Sequence, residues 1–223
     1  MSRIVIITCF NNKQMLEQMK NSVYKESGIS EKECKIFAID NTKNKFSSAA
    51  KAYNYALRHV TKAEVLVFCH QDILFLEHSI EDIIQVCLEY PETLFGAAGV
   101  KNVGNKRDNR IISHMAMIKP EWKYETLEEG TTEEVFTLDE CLITGTSELF
   151  KRLVFDETVC DGWHLYAADL CMDCKRKGIP VKVYDANIAH LSGGNPDKSF
   201  YECERKFVKK YRNDFKIISY SCG

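Results

Sequence analysis

The sequence predicts an α/β fold of the doubly wound kind: a mostly parallel sheet flanked by helices, with a small antiparallel elaboration. Three observations carry this. Short apolar runs alternate with segments of helical spacing through the first part of the chain, in the order β-α-β-α-β-α-β, and such alternation requires parallel strands joined by crossover helices. Val65-Leu66-Val67-Phe68-Cys69 is apolar at every position and stops abruptly at His70-Gln71-Asp72, as a strand buried on both faces does. The first three strands each give way to a polar residue, namely Asn11, Asp40 and Asp72. Polar groups gathered at the carboxyl edge of an open α/β sheet are what a ligand crevice needs.

Taken in order, Arg3 to Cys9 is apolar and β-branched and yields to a loop at Phe10-Asn11-Asn12. Leu16, Met15, Met19 and Val23 recur at helical spacing as far as Tyr24, and Gly28 ends that element. Cys34 to Ile39 is a second strand, closing on Asp40-Asn41. Ser47 to Val60 is an alanine-rich helix with Ala49, Ala52, Tyr53, Ala56 and Leu57 on one face. After the strand into His70, Ser79 with Asp82 three residues later opens a helix to about Tyr90, before Pro91. Leu94 to Val100 is a fourth strand. Asn102 to Arg110 is polar and contains glycine, hence a loop. Ile111 to Ile118 and Glu133 to Thr144 read as strands of an antiparallel insertion where an acceptor is chosen. Ser147 to Lys151 is a short helix, and Leu165 to Lys177 a longer one ended by Gly178. Pro180 to Tyr184 and Ile188 to His190 are strands, and Lys198 to Arg212 is a final charged helix. With no repeat, low-complexity tract or linker, one domain is expected over 1–223. Residues 1–100 form its nucleotide-binding half, 101–197 its acceptor and catalytic half, and 198–223 a C-terminal helix and tail.

The 223 residues suffice to bury a sizeable core, and a formal charge of −2 offers no basic face for nucleic acid. No run approaches the ~18 apolar residues of a membrane span. The first ten residues lack the apolar length and small-residue cleavage pattern of a secretory signal. The ten cysteines therefore read as reduced thiols of a cytosolic protein. The single C-x-x-C, Cys171 to Cys174, lies in a helical pattern with no second pair, so core or surface thiols are expected there before a metal.

Several motifs follow one another along this chain: Asn54 within Ala50-Lys51-Ala52-Tyr53-Asn54-Tyr55-Ala56-Leu57, then Phe68-Cys69-His70-Gln71-Asp72, then Leu138-Asp139-Glu140. Trp163-His164-Leu165-Tyr166-Ala167-Ala168-Asp169-Leu170-Cys171 with Gly178, and His190-Leu191-Ser192-Gly193-Gly194, complete the set. In order and spacing it resembles the glycosyltransferase 2-like proteins of the GT-A superfamily, in the group related to the StrF domain of streptomycin biosynthesis, over about residues 4 to 195. The resemblance implies a GT-A nucleotide-diphospho-sugar transferase fold, a nucleotide-sugar donor, a divalent metal near the diphosphate and inversion at the anomeric carbon. One departure matters. The usual Asp-x-Asp pattern is replaced by His70-Gln71-Asp72, which leaves one carboxylate.

A departing diphosphate needs its charge neutralised by a metal or cations. Asp72 is the candidate ligand and His190, after a late strand, the second; imidazole tilts the choice from Mg2+ towards Mn2+. The competing readings are a turn or capping aspartate for Asp72 and a satisfied buried histidine for His190. Asn11, His70 and Asp139 would line the donor site. Asp40 would take ribose or base, unless it merely makes an Asp-Asn turn. Asn54 is a poor helix former, so a specific hydrogen bond holds it, either to ligand or to loop backbone. Asp169 matches the family's acidic position and is the expected general base; its alternative is to complement the helix dipole, and Asp173 shares its face one turn on. Trp163, His164 and Tyr166 suit stacking on a sugar ring, although aromatics in such a cluster are often simply core, and Asp139 and Glu140 line the sugar site or end a strand. Arg205, Lys206, Lys209, Lys210 and Arg212 form a solvated face, or a peripheral contact with anionic lipid if a lipid-linked rather than a free carbohydrate acceptor is used. The expected activity is transfer of a sugar from a nucleotide-diphosphate donor to a hydroxyl. The alternatives are a nucleotide-sugar-binding protein without turnover and a nucleotidyltransferase, the latter disfavoured because Cys9-Phe10-Asn11-Asn12-Lys13 has no glycine.

Overall fold

The computed structural model describes residues 2–60, 62–101, 110–112, 116–117, 125–128, 130–192, 197–215 and 220. Strands β1 (Ser2–Phe10), β2 (Cys34–Asp40) and β3 (Ala63–Cys69) are parallel, with β1 in the middle. Their unbroken apolar runs have a simple cause, because both faces are covered. Ile4, Ile6, Val65 and Val67 enter one core, and Val5, Ile7, Leu66 and Phe68 the other. The first core is closed by α1 (Lys13–Asn21), which runs on through a π-helical turn at Ser22–Glu26, and by α3 (Ser79–Glu89). The second is closed by α2 (Ala49–His59), α4 (Ser147–Phe150), α5 (Tyr166–Arg176) and α6 (Lys198–Tyr211). Each fully buried aliphatic side chain contributes about 1.5–3 kcal/mol. Side-chain caps start four of these helices: Asn12 accepts from Gln14 and Met15 N–H, Ser48 from Lys51 N–H, Thr146 from Leu149 N–H, and Asp197 from Ser199 and Phe200 N–H.

The remaining strands are β4 (Ile73–Phe75), β5 (Leu94–Gly96), β6 (Ala98–Val100), β7 (Arg110–Ile112), β8 (Ala116–Met117), β9 (Glu125–Thr126), β10 (Thr132–Glu134), β11 (Thr137–Leu138), β12 (Leu142–Thr146), β13 (Val181–Tyr184) and β14 (Ile188–His190). The large sheet has seven strands in the order β10-β13-β5-β12-β3-β1-β2. Within it β12 is antiparallel to both β3 and β5, and β10 is antiparallel to β13. A four-stranded sheet, β11-β6-β7-β9, and a three-stranded one, β4-β14-β8, complete the fold.

Four element assignments are corrected. The expected fourth strand, Leu94 to Val100, divides at Ala97, so that β5 stays in the large sheet and β6 pairs with β7 and β11. The expected strand from Glu133 to Thr144 is three strands, the last of which inserts between β3 and β5. Of Ile111 to Ile118, the described parts form β7 and the separate β8, and residues 113–115 lie outside the described set. The helix at Ser79 has no capping box; His78 caps it in a left-handed conformation (φ 62°), and Ser79 Oγ donates to Leu76 O instead. The division at Ala97 depends on close packing that periodicity does not reveal. A Cβ on Gly96 would stand 2.8 Å from both Leu142 O and Leu138 Cδ2. Gly96→Ala is expected to cost about 1–3 kcal/mol, read from the urea midpoint of unfolding.

Candidate functional site

β3 ends at Cys69, and the turn that follows is pinned by backbone: His70 N–H donates to Cys141 O (3.0 Å) and Ile73 N–H to His70 O (3.4 Å). β4 then pairs antiparallel with β14, placing His190 opposite Ile73, and Leu191 N–H donates to Asp72 O (3.0 Å) just beyond. A short ladder thus delivers a histidine from late in the chain to the turn that carries His70 and Asp72.

The three side chains converge. One ligand atom from each of His70, Asp72 and His190 lies within 4.8 Å of the others, the one such cluster among the described residues. The His70 and His190 ring centroids are 5.5 Å apart. His190 Nε2 stands 3.6 Å from Asp72 Oδ1, too far for a hydrogen bond, and although buried it has no hydrogen-bond partner among the described residues. Burial pushes the Asp72 carboxyl up, but His190, Ser192 and His70 more than reverse this and hold it well below the usual range. Burial pushes His190 down, and Asp72 overcomes it to favour imidazolium. His70 is lowered by burial and then by His190. The group is therefore one carboxylate facing two histidines, His190 drawn towards its charged form and His70 towards its neutral one.

The tautomer of His70 follows from its neighbours. Tyr166 OH donates to the Glu140 carbonyl (3.0 Å), which can only accept, and His70 Nε2 lies 3.1 Å from the same phenol oxygen. That oxygen accepts from His70 Nε2–H, leaving Nδ1 with the lone pair. Glu140 in turn accepts Tyr166 N–H on Oε1 (3.1 Å), so it fastens the turn before β12 to the start of α5. Burial, then Asp139, raise its pKa well above the ordinary value. Asp139, 8 % exposed, accepts Cys141 N–H (3.0 Å), and its charge acts on both His70 and His190. Gln71 ties the first loop to this turn: its Oε1 accepts Asn11 and Asn12 N–H (3.1 and 2.9 Å), and its Nε2 donates to Asn11 Oδ1 (2.8 Å).

Ligands about 2.1 Å from one cation stand up to about 4.2 Å apart, so small side-chain rotations would close this cluster on an ion. A buried, unpartnered imidazole nitrogen facing a carboxylate fits that use. Against this geometry the sequence comparison is decisive: a family model described as a glycosyltransferase-like family matches residues 5–218. The chain belongs to this glycosyltransferase-like family. A curated relative, the "ATP synthase subunits region ORF 6" protein of Fuscovulum blasticum, is 24 % identical over 159 residues, covering 69 % of this chain and 62 % of its own length. Among solved structures, GalNAc-T7 with UDP, GalNAc and Mn2+ superposes with a TM-score of 0.67 at 10 % identity, covering 96 % of this chain and 49 % of that one. S. aureus TarS residues 1–349 with UDP-GlcNAc superposes at 0.61 and 16 % identity, covering 96 % and 68 %. At such identities the likeness is one of fold, and the fold is GT-A.

In this glycosyltransferase-like chain the other expected site residues divide. Asn11, His70, Asp72, Asp139 and His190 meet around the turn. Asp40 is exposed at the end of β2, and its Oδ1 accepts Thr42 N–H and Oγ–H (2.9 and 2.6 Å); these bonds hold its pKa below the ordinary value. Asn54 gives both polar ends to a loop: Nδ2 donates to Phe155 O (2.8 Å) and Glu157 Oε1 (2.9 Å), and Oδ1 accepts Phe155 N–H (3.1 Å). It holds the segment leading into α5, the second of its two readings. Asp169 is 2 % exposed, with both oxygens on Lys210 Nζ (2.7 and 3.0 Å), which also reaches Asp156 Oδ2 (2.9 Å). In this structure Asp169 is thus the buried partner of an ion pair. Asp173 binds Lys177 Nζ (2.6 Å). Cys171 and Cys174 lie in the core, Cys171 Sγ accepting Leu138 N–H (3.3 Å). Of the basic residues of α6, Lys206 and Lys210 are spent on Asp161, Asp156 and Asp169. Among the described residues no helix is long and apolar enough to cross a membrane. Sequence reasoning missed the positioning roles of Gln71 and Tyr166; adjacency to Asp72 was the available signal for the first, and the second acts only through the fold.

Proposed function

We propose that this chain transfers a sugar from a nucleoside-diphosphate donor to a hydroxyl acceptor, with a divalent cation at His70, Asp72 and His190. The observation that carries the proposal is the buried His190 Nε2, without a hydrogen-bond partner among the described residues, facing Asp72 across 3.6 Å. A bound cation would neutralise the charge that develops on the departing diphosphate. Two imidazoles with one carboxylate favour Mn2+ over Mg2+. The neighbours solved with UDP, GalNAc and Mn2+ and with UDP-GlcNAc support a UDP-sugar as the donor class. His70 Nδ1, Asp72 and His190 Nε2 would supply the ligands, Tyr166 fixes the His70 ring, and the Gln71–Asn11 bonds hold the loop after β1 at the donor's edge. Asp40, exposed beyond β2, would meet the ribose or base.

Inversion requires a carboxylate that takes the acceptor's proton as it attacks. With Asp169 paired to Lys210, we assign that role to Asp139, which accepts Cys141 N–H beside the carbonyl that takes His70 N–H. A thermal-shift panel of UDP-, GDP- and dTDP-sugars with Mn2+ tests the donor class, since a specific donor stabilises the folded chain by mass action. A shift with one nucleotide series supports the proposal, and none with any series refutes it. Tyr166→Phe keeps the ring but frees His70, and a roughly 10–100-fold loss of Mn2+ affinity is expected, measured by titration calorimetry in the presence of UDP.

One observation favours a second reading, donor binding without turnover: the carboxylate at the family's acidic position, Asp169, is closed off by Lys210. Product formation from a binding donor with a panel of hydroxyl acceptors separates the two. On the transfer reading, Asp139→Asn keeps donor binding and lowers the rate by two or more orders of magnitude, about the usual contribution of a general base.

A further inference from the structure

The β4–β14 ladder has a second end. It leaves the metal cluster at the Ile73–His190 pair and finishes at Phe75 opposite Ile188. Beyond that finish, Glu77 and Asn187 meet α3 and the 130–132 segment around a cleft of about 830 Å³. This volume is of the size that takes a small organic ligand.

Its chemistry is one-sided. Glu77, Asp82, Glu89 and Asp185 all line it, and among the described residues no lysine or arginine does. His78 also lines the cleft, 3.8 Å from Glu77 by its Nε2, and Lys182 stands outside the lining with its ammonium over the Tyr90 ring (5.1 Å). Asp185 accepts Gly130 N–H (3.0 Å). Asp82 and Asp185 lie close enough that the second raises the pKa of the first, after burial. Tyr184, only 2 % exposed, lines the same cleft. Its buried hydroxyl has no hydrogen-bond partner among the described residues. A buried hydroxyl left unmatched is costly, and a ligand group in the cleft would recover that cost.

A single metal ion does not suit these groups. Among the described residues, three or more carboxylates and imidazoles converge to ligating distance only at His70, Asp72 and His190. The acids of the cleft are spread along it instead, which matches a cation whose charges are also spread. We propose that this cleft binds a small organic polycation of the polyamine class, with one ammonium between Asp82 and Asp185. The Tyr184 hydroxyl accepts an N–H from that ammonium, and a second ammonium reaches Glu77 or Glu89. This assignment is independent of the donor site.

Spermidine is the probe, titrated calorimetrically into the full chain with Asp82→Asn, Tyr184→Phe and, as a control acid remote from the cleft lining, Glu148→Gln. Asp82 is exposed on the first turn of α3, so its substitution spares the core, and a thermal melt of each variant checks folding. One saturable site, weakened at least tenfold in both cleft variants and unchanged in the control, is the expected result. Absence of saturable binding, or equal weakening by Glu148→Gln, overturns the proposal, as does Mg2+ binding that depends on Asp82 with equal strength.

Discussion

Asp72→Ala is expected to weaken Mn2+-dependent UDP binding by at least ~100-fold while leaving the fold intact. Losing a residue that merely orients a metal ligand typically costs about 10–100-fold, so losing a ligand itself sets that as the minimum. Asp72 is also the single carboxylate of the cluster and the reason His190 is drawn towards its charged form. Without it the two imidazoles face one another, both become neutral under the burial they experience, and no buried charge is stranded. Stability should therefore change little while metal-assisted binding collapses. Calorimetry of UDP with and without Mn2+ separates the effects: the metal-dependent gain disappears, and metal-free binding stays near that of the parent chain.

Lys210→Met should do the reverse, sparing the cluster and damaging the fold. The ammonium bridges Asp169 and Asp156, with Asp169 almost wholly buried. Removing one partner of a fully buried pair costs about 3–5 kcal/mol; with Lys210 keeping some solvent contact, about 2–3 kcal/mol is expected. Burial, the largest influence on Asp169, raises its pKa even with Lys210 present, and the variant loses the opposing attraction. A group whose folded pKa lies above its unfolded one favours the fold while protonated and loses that contribution as pH rises through the folded value. The deficit of Lys210→Met relative to the parent should accordingly shrink as the pH falls from neutral into the acid range. Adding Asp169→Asn should restore at least half of it at neutral pH. Urea unfolding at several pH values checks each statement, and a deficit that is flat with pH contradicts the assignment.

The sequence announced most of the scaffold because the relevant signals were local. The run Val65 to Cys69 is apolar at every position and proved to be buried from both sides, and Gly178 ends α5 at a positive φ of 68°. The polar residue that ends a strand is equally legible, hence Asp72, and the family pattern drew attention to His190. What stayed hidden is set by contacts between distant segments. The antiparallel insertion of β12 and the break at Ala97 depend on Gly96 lying against Leu142 and Leu138. Asp169 sat at an acidic position favoured by the family pattern, and its ion pair with Lys210, from the last helix, could not be read from the sequence. Asn54 likewise serves Phe155 and Glu157 across a long stretch of chain.

The central claim is that His70, Asp72 and His190 together hold the cation that serves a nucleoside diphosphate. Anomalous diffraction from crystals grown with UDP and Mn2+, recorded at the manganese edge, tests it directly. The account predicts one strong peak bounded by His70 Nδ1, Asp72 and His190 Nε2, with the UDP phosphates beside it. Bound UDP with manganese elsewhere, or with these three side chains left unliganded, would contradict it.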